Sequence, residues 1–106
     1  MNEIAKQNKG FEKIRHHDED GNEFWYAREL AEILEYAQWR NFLLVLDKAK
    51  EACENSGQKA EYHFADVSKM VELGKGAQRS VDDCRLSRYA CYLIETFNIH
   101  IESIKN

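Results

Sequence analysis

Few residues in this chain are spaced for chemistry, and the most suggestive group is cationic. Gly74-Lys75-Gly76-Ala77-Gln78-Arg79-Ser80 carries two cations and no acid, and Arg85 and Arg88 follow shortly after. Its glycines let backbone N–H groups approach an anion. At the tip of a hairpin, such a loop can contact phosphates without reading bases, as the wing of a winged helix does. A surface hairpin whose charges only confer solubility would have the same composition. The segment is not a nucleotide-binding P-loop, because the order G-x-x-x-x-G-K-[S/T] is absent. Arg28, Gln38 and Arg40 form a second polar group, around the junction of two expected helices. If the second helix entered a major groove, Gln38 and Arg40 near its start would face base edges. Trp39 and Phe42 in the same turn read as core anchors, so a packed helix pair with a decorated surface competes with that reading.

Other reactive residue types lack partners. Asp18, Asp20, Asn22 and Glu29 match positions 1, 3, 5 and 12 of a calcium loop. The sixth position, where a glycine must make the sharp turn, is Glu23, so an Asp20-Gly21 turn accounts for these residues better. His16 and His17 are adjacent, which in a strand sends them to opposite faces. His63 and His100 are isolated, and no spacing suits zinc. Cys53, Cys84 and Cys91 are odd in number with no C-x-x-C pair, which implies reduced thiols and a cytoplasmic setting. Cys53 and Cys91 fall on or beside apolar helical faces and read as core residues. Cys84 has a cation beside it in Arg85, but Asp82 and Asp83 offset that charge and disfavour a thiolate. No nucleophile, base and orienting group converge. The expectation is a non-enzyme with no cofactor and no metal.

The chain has 106 residues, 43% of them hydrophobic and 32% charged, including two Trp, five Tyr and five Phe. That is one domain's length, with enough apolar mass for a core without staples. The net charge of −4 and pI of about 5.6 exclude wholesale coating of nucleic acid. Contact with phosphates would have to come from a local basic patch. No apolar run approaches a membrane span, and the polar first ten residues do not read as a signal peptide. Proline is absent, so turns must rely on Gly, Asn and Asp.

These groups must be positioned by a mixed set of elements. Residues 1–10 read as a loose arm, and residues 11–97 as the domain. Phe11–Tyr26 is expected to form a β-hairpin, with Phe11–Arg15 extended, a turn at Asp20-Gly21 and the aromatic strand Glu23–Tyr26. Ala27, Leu30, Ala31 and Leu34 recur at helical spacing, which predicts a helix from Ala27 to Glu35. A break over Tyr36–Gln38 precedes the best amphipathic helix. Trp39, Phe42, Leu43, Leu46, Ala49 and Cys53 line its face, and Asn55-Ser56-Gly57 stops it. Phe64, Val67 and Val71 suggest a further short helix capped by Asp66. The glycine-rich loop, an extended Val81–Arg85 and a last helix follow. That helix has Ser87 as N-cap and Tyr89, Ala90, Leu93 and Phe97 on one face. Residues 98–106 read as a tail. The fold class is α+β, a small winged-helix-like domain with β-hairpins and three to four short helices.

Several contiguous segments carry a family resemblance. Trp25-Tyr26-Ala27-Arg28-Glu29-Leu30-Ala31-Glu32-Ile33-Leu34-Glu35-Tyr36 resembles the opening of BRO-type phage antirepressor N-terminal domains. Tyr36–Phe42, Lys48–Gly57, Met70–Arg79 and Leu86–Ile94 are similar to the N-terminal region of the DNA-damage-inducible protein D family. Members of that family continue well beyond this point, whereas the chain leaves the pattern after Ile94. The resemblance implies a BRO-N-like fold and a link to the bacterial SOS response. It also implies association with single- or double-stranded DNA, a recombinase–DNA filament or a repressor protein. It supplies no catalytic residues. Two functions stand side by side: a domain that contacts DNA through Lys75, Arg79, Arg85 and Arg88, with Gln38 and Arg40 second, and an antirepressor-like interaction module that never touches DNA. A homodimer is open under either, and a membrane partner is not expected.

Overall fold

The computed structural model describes residues 10–100, with backbone alone for the last two. The elements in chain order are β1 (His16–His17), β2 (Glu23–Tyr26), α1 (Ala27–Ile33), α2 (Trp39–Asn55), a 3-10 turn (Ala60–Tyr62), β3 (Phe64–Gly74), β4 (Ala77–Leu86) and α3 (Arg88–His100). The strands form one antiparallel sheet in the order β1-β2-β4-β3. The α+β class expected from the alternation of periods is the one observed.

Leu86 of β4 pairs with Trp25 of β2 on one side and Phe64 of β3 on the other, and all three side chains are buried. The next row across the same strands is Tyr26–Arg85–Ala65, which points the opposite way. Under the buried row lie Phe42, Val45, Leu46, Ala49 and Cys53 of α2 and Ala90, Cys91 and Ile94 of α3, joined by Leu30 and Leu34. The i, i+3, i+4, i+7 spacing in α2 is thus the stripe that faces the core.

Helix ends follow local chemistry. After α1, Glu35 takes a left-handed φ of 66°, Tyr36 N–H donates to Ala31 O (2.9 Å) and Glu35 N–H to Glu32 O (3.0 Å). This Schellman closure accounts for the break before α2. Gly57, at φ 90°, closes α2 in the same way, with Gln58 N–H on Cys53 O (3.2 Å). Ser87 caps α3, its Oγ accepting Ala90 N–H at 3.0 Å.

Three expectations are corrected. Residues 10–13 form a helical turn rather than the extended start of a hairpin. There Phe11 stacks on Trp25 (4.3 Å between centroids), and its carbonyl, free of any sheet ladder, accepts the buried indole N–H at 2.9 Å. Only His16–His17 is left to pair with β2. Phe64, Val67 and Val71 belong to an 11-residue strand, not a helix capped by Asp66. The glycine turn brings β4 alongside, and a full antiparallel ladder outweighs a helix with so few apolar anchors. Lastly, α3 continues through Asn98, which is buried and accepts a 2.6 Å hydrogen bond from Tyr36 OH, so the helix overruns the boundary placed at residue 98. Residues 1–9 of the arm and 101–106 of the tail lie outside the described residues. No helix among the described residues is long and apolar enough to cross a membrane.

Trp25 joins the helical turn, the sheet and the helices, so its truncation should be severe. Trp25→Ala should lower unfolding free energy by about 3–5 kcal/mol in urea titration, the range for deleting a buried large aromatic.

Candidate nucleic-acid interface

The hairpin β3–β4 carries the cationic loop. Gly74 pairs with Ala77, and the two residues between them, Lys75 (φ 53°) and Gly76 (φ 80°), both have positive φ. A two-residue turn of that kind follows the twist of its strands. Gly76 takes this conformation without strain, whereas for Lys75 it carries a cost. The turn therefore sets Lys75 at the extremity of the hairpin, exposed. Arg79 is exposed on β4 opposite Val71. Neither cation has a hydrogen bond or ion pair to any described residue. Gln78 turns to Glu72 across the strands instead (2.7 Å).

Strand parity puts Arg79, Val81, Asp83 and Arg85 on one face of β4, the face of Tyr26. At its lower end is a group that sequence reasoning missed. His16, Phe24 and Tyr26 form an aromatic cluster with centroids 4.9–5.4 Å apart. Arg85 lies 4.3 Å over Phe24, and Lys69 lies 3.9 Å over Tyr26. The signal was present in the i, i+2 spacing of Phe24 and Tyr26, which a strand must place together.

Acids border this face. His16 Nε2 meets Glu29 Oε1 at 2.7 Å, and Lys69 Nζ stands 3.9 Å from both Glu29 and Asp83. Asp18, Glu19 and Asp20 share a shallow cleft with Arg85 and Phe24. Asp83 is buried, and its Oδ1 accepts the N–H of Arg28 (3.1 Å) at the start of α1 and of Cys84 (2.8 Å). It serves as a cap supplied from another element. The Asp18 carboxylate accepts the N–H groups of Asn22 and Asp20, both at 2.9 Å, and the Asn22 amide bond holds its pKa below the ordinary value. The near-match to a calcium loop is therefore a self-bonded turn. Among the described residues no His, Cys, Asp or Glu group gathers as a metal site would need.

The other expected contact residues are scattered. Arg88 donates two hydrogen bonds to Glu23 (2.7 and 2.9 Å) and approaches Glu12 at 3.6 Å, so it is a fixed internal partner rather than a free cation. Gln38 and Arg40 are exposed at the start of α2. Trp39 between them stacks toward Phe42 and lies under Arg28, whose Nε donates to Asp82 O at 2.6 Å. The three thiols are buried, and burial pushes all of them up, Cys84 to about 12.

This small antiparallel sheet on two packed helices, with a projecting cationic hairpin, falls within a recognised class. Residues 13–96 match the BRO family, N-terminal domain, and the chain belongs to that family. The resemblance to the damage-inducible group also holds. The chain is 48% identical over 84 residues to DNA damage-inducible protein D of Escherichia coli (strain K12). The match covers 79% of this chain and 31% of that relative, so the chain spans about a third of the relative's length. No solved structure matches significantly.

Two measurements test this account. Arg88 holds the Glu23 carboxyl below its ordinary 4.5, so the pair contributes stability above that value and loses it as pH falls through the lowered one. Urea midpoints at about pH 6 and about pH 3 should therefore differ less in Arg88→Ala than in the parent. A thiol reagent at neutral pH should leave the native protein unlabelled and modify all three cysteines once it is denatured.

Proposed function

We propose that this domain binds DNA, with Lys75 and Arg79 contacting phosphates from the tip of the β3–β4 hairpin, used as a wing. One observation carries the reading: on a molecule of net charge −4, these two cations are exposed at a projecting tip with no counter-ion among the described residues. Arg85 and Lys69 continue the same sheet face toward the half-exposed Phe24 and Tyr26, so a strand could follow the hairpin down to an aromatic surface. Acids bordering that surface limit affinity, and with so few phosphate contacts the salt slope is shallow. Gln38 and Arg40 stand second, since they flank a Trp that is turned into the structure. Arg88 drops out as a contact because Glu23 holds it.

The domain would act by binding rather than by catalysis, in the cytoplasm and within the DNA-damage or SOS response. The likeness to DNA damage-inducible protein D supports that setting. Its target would be DNA itself or a recombinase–DNA filament. The acidic net charge favours a second reading, an antirepressor-like module that docks on a repressor or recombinase without touching DNA.

Fluorescence anisotropy with labelled single- and double-stranded DNA across a salt series separates the two. Lys75→Glu with Arg79→Glu should weaken binding at least about tenfold and reduce the salt slope by roughly two, one for each phosphate no longer neutralised. Binding unchanged by the double reversal would refute the role of the hairpin tip. Absence of binding at low salt, with capture of a repressor or recombinase, would establish the second reading.

A further inference from the structure

Strand β3 is the terminal strand of the sheet and runs for 11 residues, about twice the usual length. Its ladder is with β4 alone, and no backbone or side chain among the described residues bonds its outer row of N–H and C=O groups. Folded proteins protect such an edge with prolines or outward charges, since it is a template for another strand. Here the protection is weak. There is no proline, and of the three charged side chains of the strand Lys69 and Glu72 are engaged within the chain, while Asp66, near the far end from the turn, stays exposed. Lys69 lies over Tyr26 and beside Glu29 and Asp83, Glu72 accepts from Gln78, and Asp66 is 3.9 Å from Lys50. Two large apolar side chains are also exposed on this strand: Met70 and, at the irregularity between Glu72 and Gly74, Leu73, each 57% exposed.

We propose that β3 pairs antiparallel with β3 of a second copy of this chain, across a twofold axis at Met70. The strand's own sequence selects this occupant. An antiparallel pair of identical strands has a twofold axis, and residues directly opposite must share a sheet face. Centring on Met70 places Met70 against its own copy, Lys69 against Val71, Ser68 against Glu72 and Asp66 against Gly74, so no like charges meet. Centring one residue earlier sets Lys69 against Lys69 and Asp66 against Glu72, two repulsive pairings. Centring one residue later sets the exposed Met70 against the Glu72 carboxylate. The favoured register buries Met70, one of the two large exposed apolar side chains of the strand, and turns two edge strands into central ones. The twofold leaves both Lys75 turns at the outer corners of the joined sheet. The inference is independent of the DNA-binding reading.

Sedimentation equilibrium over a concentration series, with the full chain, tests it. The parent should show a reversible monomer–dimer equilibrium. Met70→Lys should weaken dimerisation at least about tenfold by setting two like charges face to face, with an unchanged melting temperature at dilutions where the parent is monomeric, because there the side chain is exposed in both. Met70→Cys should form an intermolecular disulfide on mild oxidation, since opposed Cα atoms stand about 4.5–5.5 Å apart and the native cysteines are buried. Lys75→Glu with Arg79→Glu should leave the dimer intact, which separates this result from loss of DNA binding. A monomer at every concentration, or a dimer indifferent to Met70→Lys, would overturn the proposal.

Discussion

Leu86, held between Trp25 and Phe64, is the contact on which the remaining arrangement rests. The side-chain period of a strand is two, so burying this one row decides the face of every other residue on three strands. It sends Cys84 inward and Arg85, Asp83 and Arg79 to the opposite face. A slip of one residue would bury Arg85 and expose Leu86, exchanging apolar burial for an unpaired guanidinium in the core. The penalty is large enough to make the register unique. The cationic hairpin inherits its orientation from that choice, although its tip makes no contact with the core.

Asp83 is the second consequence. Parity turns it away from the buried row, yet α1 starts beside it, and the carboxylate takes the amide of Arg28 as a cap. The helix is only seven residues long and Tyr26 at its N-cap offers no side-chain bond, so the donor groups at its start need an acceptor from elsewhere. Lys69 on the neighbouring strand stands near the same carboxylate, and its charge is divided between Asp83, Glu29 and the Tyr26 ring. One buried acid thus draws a lysine into the body and leaves the edge of β3 without its cation.

The distribution of charge matters more than its sum. Most acids near the sheet are engaged by turns or cations: Asp18 by its own loop, Glu23 by Arg88, Glu29 by His16 and Lys69. The exposed end of the hairpin carries Lys75 and Arg79, with Glu72 between them bonded to Gln78 rather than to either cation. Membership in the BRO family and likeness to about a third of a damage-inducible relative establish kinship alone; the role of this extension is a proposal that rests on its exposed cations.

Apolar spacing was enough to read α1, α2 and α3, because each stripe includes paired i+3 and i+4 neighbours that only a helix places on one face. The stops at Glu35 and Gly57, the cap at Ser87 and the glycine turn around Lys75 were equally local, written in residues whose backbone or side-chain chemistry acts within a few positions. The family, too, was legible in contiguous motifs. Strand β3 was not. Phe64, Val67 and Val71 suit a helix by spacing, and only the arrival of β4 from across the turn made the extended form the better one. The turn at residues 10–13 was likewise hidden, since its cause is the Trp25 indole fourteen residues away seeking an acceptor. The fate of the arginines was the least readable: Arg79 and Arg88 look alike in sequence, but Glu23 on a distant strand binds one and nothing described meets the other. Local chemistry acts through neighbours in the chain, whereas pairing and charge compensation depend on which distant groups the fold brings within reach.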